Sequence, residues 1–367
     1  MKRFITICIP ILVSSLLLTS CHLVTKEPIS KTGIYFDTVI SIDIYDSNNT
    51  SLLEQCFEYC KEFEETVSRT IETSEIYRLN HANGNPVEVS DVTLELLQKG
   101  VEYGDLTNGK FDITVAPLSE LWDFKNNTGT VPNEQDIKEA LSHVNYKNIV
   151  IDGNMVSLSD PKAAIDLGGI AKGYMADRLK EYLMKEGIES ALINLGGNIL
   201  AIGSKPDGTP FNLGIQKPFE KQGVTITSVK TVDSSVVSSG VYERYFKIDD
   251  VLYHHILNPE TGFPYDNELL GVTILSEKSV DGDALSTSCF ALGLEDGMNL
   301  IDAQVGEEYI VKEIQTDDEE LNAFLFSLGC YSGEPITVVS HLRGGCVVSI
   351  KDGRYTIDKE LAAAIIV

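Results

Sequence analysis

Ala164-Ile165-Asp166-Leu167-Gly168-Gly169-Ile170-Ala171-Lys172-Gly173-Tyr174 is the stretch whose reading decides the fold. A helical pattern follows it to about Gly187, and then comes Ala191-Leu192-Ile193-Asn194-Leu195-Gly196-Gly197-Asn198-Ile199-Leu200. The order is strand, glycine turn, helix, strand, glycine turn. Paired glycines permit a backbone with positive φ and let a bulky ligand approach where a Cβ would block it. The first amides of a helix are unpaired and favour an anion. A phosphate-bearing ligand at the Gly168-Gly169 turn is the expectation that follows. Either Gly-Gly pair alone is equally an ordinary tight turn, so other stretches have to decide.

The chain has 367 residues, room for two or three domains. Hydrophobic residues make up 43% and charged ones 23%, which suits a globular protein with a proper core. Lys and Arg number 29 against 55 Asp and Glu, a net charge of −26. Such an acidic chain is a poor ligand for nucleic acid, which requires clustered cations, and for anionic lipid surfaces. The N-terminus is different in kind. Lys2 and Arg3 precede an apolar run, Phe4 to Leu18, that is short for a membrane span. Leu18-Thr19-Ser20-Cys21 then resembles a bacterial lipobox, in which the cysteine is lipidated and becomes the new N-terminus. This implies a signal peptide over 1–20, a lipidated tether over 21–30 beginning at Cys21, and an extracytoplasmic protein anchored to the cell membrane. Beyond the leader stand Cys56, Cys60, Cys289, Cys330 and Cys346, with no C-x-x-C spacing to suggest zinc or a thioredoxin-like pair. Cys56 and Cys60, at i and i+4 of a helix, read as two half-buried thiols, with a redox pair as the alternative.

Along the chain, Thr38 to Tyr45 alternates as a strand, and Ser51 to Arg69 is helical with Leu53, Phe57, Cys60, Phe63 and Val67 on one face. Ser74 to Asn80 is a short structured turn. Ser90 is an N-cap for a helix carrying Leu94, Leu97 and Val101. The only tryptophan, Trp122, follows the segment Gly109 to Pro117; it is either core or a wall for a planar ring. A helix over Asp136 to Leu141 and a hairpin turning at Asp152-Gly153 come next. Strands are expected at Phe211–Gln216 and Val224–Val229, then a small, Ser-rich stretch over Val232–Val241. A hairpin turns at Asp249-Asp250 and leads to His254-His255-Ile256-Leu257-Asn258-Pro259-Glu260-Thr261-Gly262. A histidine just before such a turn is where a general base is often held, though a structural role is the commoner one. Helix-opening Ser279 to Gly293 places Asp283 and Thr287 four apart, so both oxygens share one face. A carboxylate and a hydroxyl are hard donors that suit Mg²⁺; Asp283 is otherwise a helix-start charge favoured by the dipole.

Taken in order, Phe111–Pro117 (FDITVAP), Asp166–Tyr174 (DLGGIAKGY), Asn194–Asn198 (NLGGN), His255–Gly262 (HILNPETG) and Asp283–Gly293 (DALSTSCFALG) resemble the ApbE family of FAD:protein FMN transferases. The resemblance implies an α+β, ApbE/T-fold-like transferase domain over 31–302. It also implies a reaction. FAD is the substrate and Mg²⁺ the cofactor, held at the diphosphate. A Thr or Ser hydroxyl of an exported flavoprotein, in an Asp-x-x-Ser/Thr-Gly-Ala-Thr/Ser-like motif, attacks the FMN phosphorus and AMP leaves. Carried over, His255 is the base, Asp283 and Thr287 are metal ligands with the carbonyl of Ala171, and Asp283 is also catalytic. Asp166 orders the Gly168-Gly169 turn, and Lys172 meets phosphate. Phe36, Ser74, Asp112, Trp122, Tyr174 and Leu257 are implied FAD contacts. Asn258 departs from the Asp most often found there. An FAD pyrophosphatase, with water in place of the acceptor, is the alternative; a non-catalytic FAD- or iron-linked docking lipoprotein is the alternative of another class.

The end of the chain has short strands, Gly turns, a helix with Leu321, Leu325 and Leu328, and a terminal strand over Leu361–Val367. It is similar to the FeoA family, which implies an SH3-like β-barrel over 303–367 that serves as an interaction module. Its His341 and Cys346 form no metal-ligand cluster. Because this segment starts almost directly after the Asp283 helix, either its strands complete the transferase sheet or that sheet keeps an exposed edge.

Overall fold

The computed structural model describes residues 27–367 apart from 127–128, 222, 297–302, 317, 343 and 352. Cys21, with the rest of the expected signal and most of the tether, lies outside the described residues. The architecture is α+β. A six-stranded sheet runs in the order Ile29–Tyr35, Thr38–Ile44, Ser190–Leu195, Asn198–Gly203, Ser235–Gly240 and Gly271–Ser276, every neighbour antiparallel. Its face is built by alternation: Ile40, Ile42 and Ile44 are fully buried, as are Ala191, Ile193 and Leu195 on the neighbouring strand. The Ser51–Val67 helix covers that face with Leu53, Phe57, Cys60, Phe63 and Val67, the stripe its spacing predicts. Each such side chain contributes roughly 1.5–3 kcal/mol when fully buried. Cys56 and Cys60 are free, buried thiols, and burial pushes both up to about 12.

The Ala171–Lys185 and Ser279–Asp296 helices pack together on this body. Gly173 makes that contact possible, since a Cβ there would stand 2.3 Å from the Ser279 carbonyl oxygen. Two segments differ from expectation. Ser74–Asn80 is a helix, Glu75–Asn80, with Ser74 as its cap. The Ser-rich stretch contains the sheet strand Ser235–Gly240, which hydroxyl side chains conceal from a search for apolar alternation. The hairpin Tyr245–Ile248 and Val251–His254 turns at Asp249 and Asp250 as expected, both at positive φ.

The C-terminal unit has a four-stranded sheet, Glu308–Ile310, Pro335–Leu342, Gly345–Ile350 and Gly353–Asp358, and a two-stranded one, Glu313–Ile314 with Ile365–Ile366. Leu325 is at its core, with Leu321 and Leu328 packed alongside. The expected terminal strand is mostly a helix, Lys359–Ala364, because Asp358 caps it by accepting from the Leu361 amide at 2.8 Å. Among the described residues none of these strands joins the six-stranded sheet, so Gly271–Ser276 remains an edge.

Candidate active site

The helix pair sets the centre of the site. The Ala171–Lys185 helix has no side-chain cap of its own at Ile170. Asp283, 4% exposed, supplies one from the partner helix: its Oδ2 accepts from the Gly173 amide at 2.9 Å. Its other oxygen, Oδ1, lies 3.6 Å from Lys172 Nζ, which also donates to the Gly168 carbonyl at 3.0 Å. Thr287 is one turn on. Its hydroxyl is 3.3 Å from that of Ser239, and a Cβ at Gly169 would sit 3.9 Å from it. Asp283, Thr287, Lys172 and the glycine turn therefore meet in one place, as the sequence implied. Asp166 does order the turn, accepting from the Gly168 amide at 2.9 Å while Arg69 pairs with its other oxygen at 3.3 Å. Gly168 and Gly169 do not have positive φ. Gly169 is needed instead for close approach, with the Phe111 ring 3.0 Å from where its Cβ would be. Positive φ belongs to the second pair, Gly196 and Gly197.

His254 and His255 follow the hairpin. His254 is buried, its Nε2 donating to the Tyr265 carbonyl at 2.9 Å and its Nδ1 accepting from the Ile256 amide at 3.3 Å, so it is structural. The His255 Nδ1 is buried without a partner. Burial first, then the cation of Arg244, pushes its imidazole down to about 3. It is neutral at pH 7 and able to accept a proton, but weaker than the ordinary histidine the sequence suggests. The following turn is held as its motif predicts. The Asn258 Oδ1 accepts from the Glu260 amide at 2.8 Å, a bond an aspartate would also make, and Gly262 takes positive φ.

Several implied FAD contacts are occupied elsewhere. Ser74, 1% exposed, caps its helix, accepting from the Tyr77 amide at 2.9 Å and donating to the Ser68 carbonyl. Asp112 accepts from the Thr114 amide and hydroxyl and from the Tyr146 amide, which uses both oxygens inside the protein; burial raises its pKa. Trp122 is fully buried, stacks with Phe124 and Tyr253, and donates to the Gly262 carbonyl at 2.8 Å. It is a core residue and not an open wall. Leu257 shares that cluster. Tyr174 stacks on Phe63 and donates to Glu95. Phe36 is half-buried at positive φ, its amide on Glu64 at 2.7 Å. Of the six, it is the most open to a ligand. Residues that the motifs did not flag also belong here. Ser239 bridges to Ser286 and Thr287, and Asp177 accepts from the amides of Ser279 and Val280 at 2.8 and 2.9 Å, capping the Asp283 helix in return. Asp177 stands in the same helix pattern as Lys172, which was the available signal.

Among the described residues no three His, Cys, Asp or Glu cluster as a metal site. A carboxylate oxygen, a threonine hydroxyl and a backbone carbonyl are nonetheless a fitting donor set for Mg²⁺, which favours few carboxylates and hard oxygens. In the C-terminal unit His341 and Cys346 are cross-strand neighbours, but His341 bonds the Ala303 carbonyl and Cys346 is a buried thiol.

Comparison with known proteins matches both parts of the chain. The ApbE family matches residues 36–311 and the FeoA domain residues 298–367. The FAD:protein FMN transferase of Klebsiella pneumoniae is 36% identical over 73% of this chain and 84% of its own. That of Vibrio cholerae is 30% identical over 84% and 93%. Among solved structures, a mutant of the Vibrio cholerae flavin transferase ApbE superposes with a TM-score of 0.67 at 25% identity, covering 90% of this chain and 97% of that one. The ApbE protein of Thermotoga maritima gives 0.68 at 28%, covering 92% and 99%. The chain belongs to the ApbE family and carries an FeoA domain at its C-terminus.

Proposed function

We propose that the chain is an FAD:protein FMN transferase acting on the hydroxyl of a threonine or serine in an exported flavoprotein. The observation that carries this is the half-used carboxylate of Asp283. One oxygen is fixed on the Gly173 amide, and the other faces Lys172 at 3.6 Å, on the helix face that carries Thr287 one turn on. Oδ1 of Asp283, the Thr287 hydroxyl and the Ala171 carbonyl would hold Mg²⁺. When bound, the ion neutralises diphosphate charge and stabilises the departing AMP. Asp166, the Gly168-Gly169 turn and Phe36 would lie along the nucleotide. His255 takes the proton of the incoming hydroxyl as its oxygen bonds to the FMN phosphorus. The bond from that phosphorus to the bridging oxygen breaks, and AMP departs with the electron pair. An anionic diphosphate would offset the cations that add to the burial-driven lowering of His255.

In the same reading residues 1–20 are the signal peptide, Cys21 bears the lipid, and 21–30 is the tether. The transferase domain spans 31–302, and 303–367 is an interaction module outside the membrane. The test is the full chain with FAD, Mg²⁺ and an acceptor domain bearing the Asp-x-x-Ser/Thr-Gly-Ala-Thr/Ser motif, followed by intact mass and AMP release. A Mg²⁺-dependent gain of one FMN on the acceptor is the expected result. AMP and free FMN with an unlabelled acceptor would replace the proposal with a pyrophosphatase.

A further inference from the structure

Resting on that reading, we propose that Arg244 binds the diphosphate of the dinucleotide substrate from the base of the catalytic hairpin. In this acidic chain carboxylates are plentiful, and nearby cations have found them: Arg69 pairs with Glu120 and Asp166, Arg178 with Glu181, and Lys172 with Asp283. The Arg244 side chain is exposed and makes no hydrogen bond or ion pair among the described residues. Its backbone is not free to wander. The Arg244 carbonyl accepts from the His255 amide at 3.1 Å, and the next pair, Tyr245 with His254, continues the ladder.

Two cations from different elements bear electrostatically on this point. Arg244 comes from the hairpin and Lys172 from the first turn of the Ala171–Lys185 helix; the charge of each reaches both His255 and Glu243. Lys172 is already engaged with Asp283 and Gly168. Arg244 therefore has the uncommitted donors, and a guanidinium presents them as a planar fork that matches two phosphate oxygens at once. The anion it would take is a diphosphate lying between the Asp283 side of the site and His255. In Tyr242-Glu243-Arg244 an ordinary charged pair precedes the strand, so no motif flagged Arg244.

The experiment is equilibrium titration of FAD into the full chain by flavin fluorescence, with inorganic pyrophosphate as competitor. Arg244→Ala should weaken both by about 10–100-fold, the value of losing charged hydrogen bonds. Arg244→Lys should recover part of the loss, and in turnover KM should rise more than kcat falls. The thermal midpoint should not move, since the side chain is exposed. Unchanged affinity for FAD and pyrophosphate overturns the assignment. So does a lowered midpoint with no recovery in Arg244→Lys, which would mark a structural residue. A wild-type chain that binds FAD through Arg244 yet labels no acceptor would sink the transferase reading alone.

Discussion

Asp177 and Asp283 stand on the two helices of one packed pair, and each caps the start of the other's helix. Asp177 accepts from Ser279 and Val280, one amide per oxygen, so both of its oxygens are engaged inside the protein. Asp283 accepts from Gly173 with one oxygen and keeps the other facing Lys172. Identical chemistry at two helix starts thus separates into a structural and a functional residue by a count of amides. Substituting asparagine at each position breaks the comparison most sharply. Asp283→Asn keeps an oxygen for Gly173 but loses the charge that would hold a cation. FMN transfer should fall on the order of 10³-fold, as expected when several kcal/mol of metal stabilisation is removed. The thermal midpoint should stay near that of the parent. A variant that unfolds while its residual folded fraction turns over normally would make Asp283 merely a cap.

The contact between the helices is the next point of attack. Gly173→Ala brings a Cβ to 2.3 Å from the Ser279 carbonyl, and backbone atoms on both sides leave it nowhere to go. Overpacking of this kind costs roughly 1–3 kcal/mol, and the upper end is expected, read as a lowered urea midpoint at unchanged m-value. Asp177→Asn should cost less, about 1–2 kcal/mol, by leaving one helix-start amide without an acceptor. FAD binding should survive in its folded fraction. If Asp177→Asn abolishes transfer without destabilising the chain, the division between the two aspartates is wrong.

That division shows what the sequence could and could not tell. The strand Thr38–Ile44, the buried stripe of Ser51–Val67 and the Asp249-Asp250 turn follow from local periodicity and turn chemistry, which neighbours did not override. Asp283, Thr287, Lys172 and the glycine turn are also legible, because their motifs are short and the fold brings their ends together. Motif position gives nearness but not direction. Ser74, Trp122 and Leu257 are in motifs or beside them, yet their side chains turn inward to cap or fill the core. Strand Ser235–Gly240 was concealed for a related reason: its serines spend their hydroxyls on neighbours, as Ser239 does on Ser286 and Thr287, so burial did not need apolar residues.

His254 and His255 extend the contrast at the smallest scale, and pH distinguishes them. In the unfolded chain both protonate near the ordinary pKa of about 6.5. In the folded protein both are lowered chiefly by burial, His255 to about 3. Between those values the unfolded state binds more protons, so stability falls as pH drops from 6.5 toward 3. His255 is half-buried by surface, and a loss of about 1 kcal/mol between pH 7 and 5.5 is expected from it. His255→Gln should flatten that slope with little change at pH 7, because its Nδ1 has no partner to lose. His254→Gln should flatten a slope too, but from a baseline lowered by about 1 kcal/mol, since the bond to the Tyr265 carbonyl goes with it. Denaturant midpoints of the three proteins at pH 5.5 and 7 decide the matter. Equal slopes in parent and His255→Gln would mean that this imidazole is not held neutral by the fold, and its readiness as a base would then need another source.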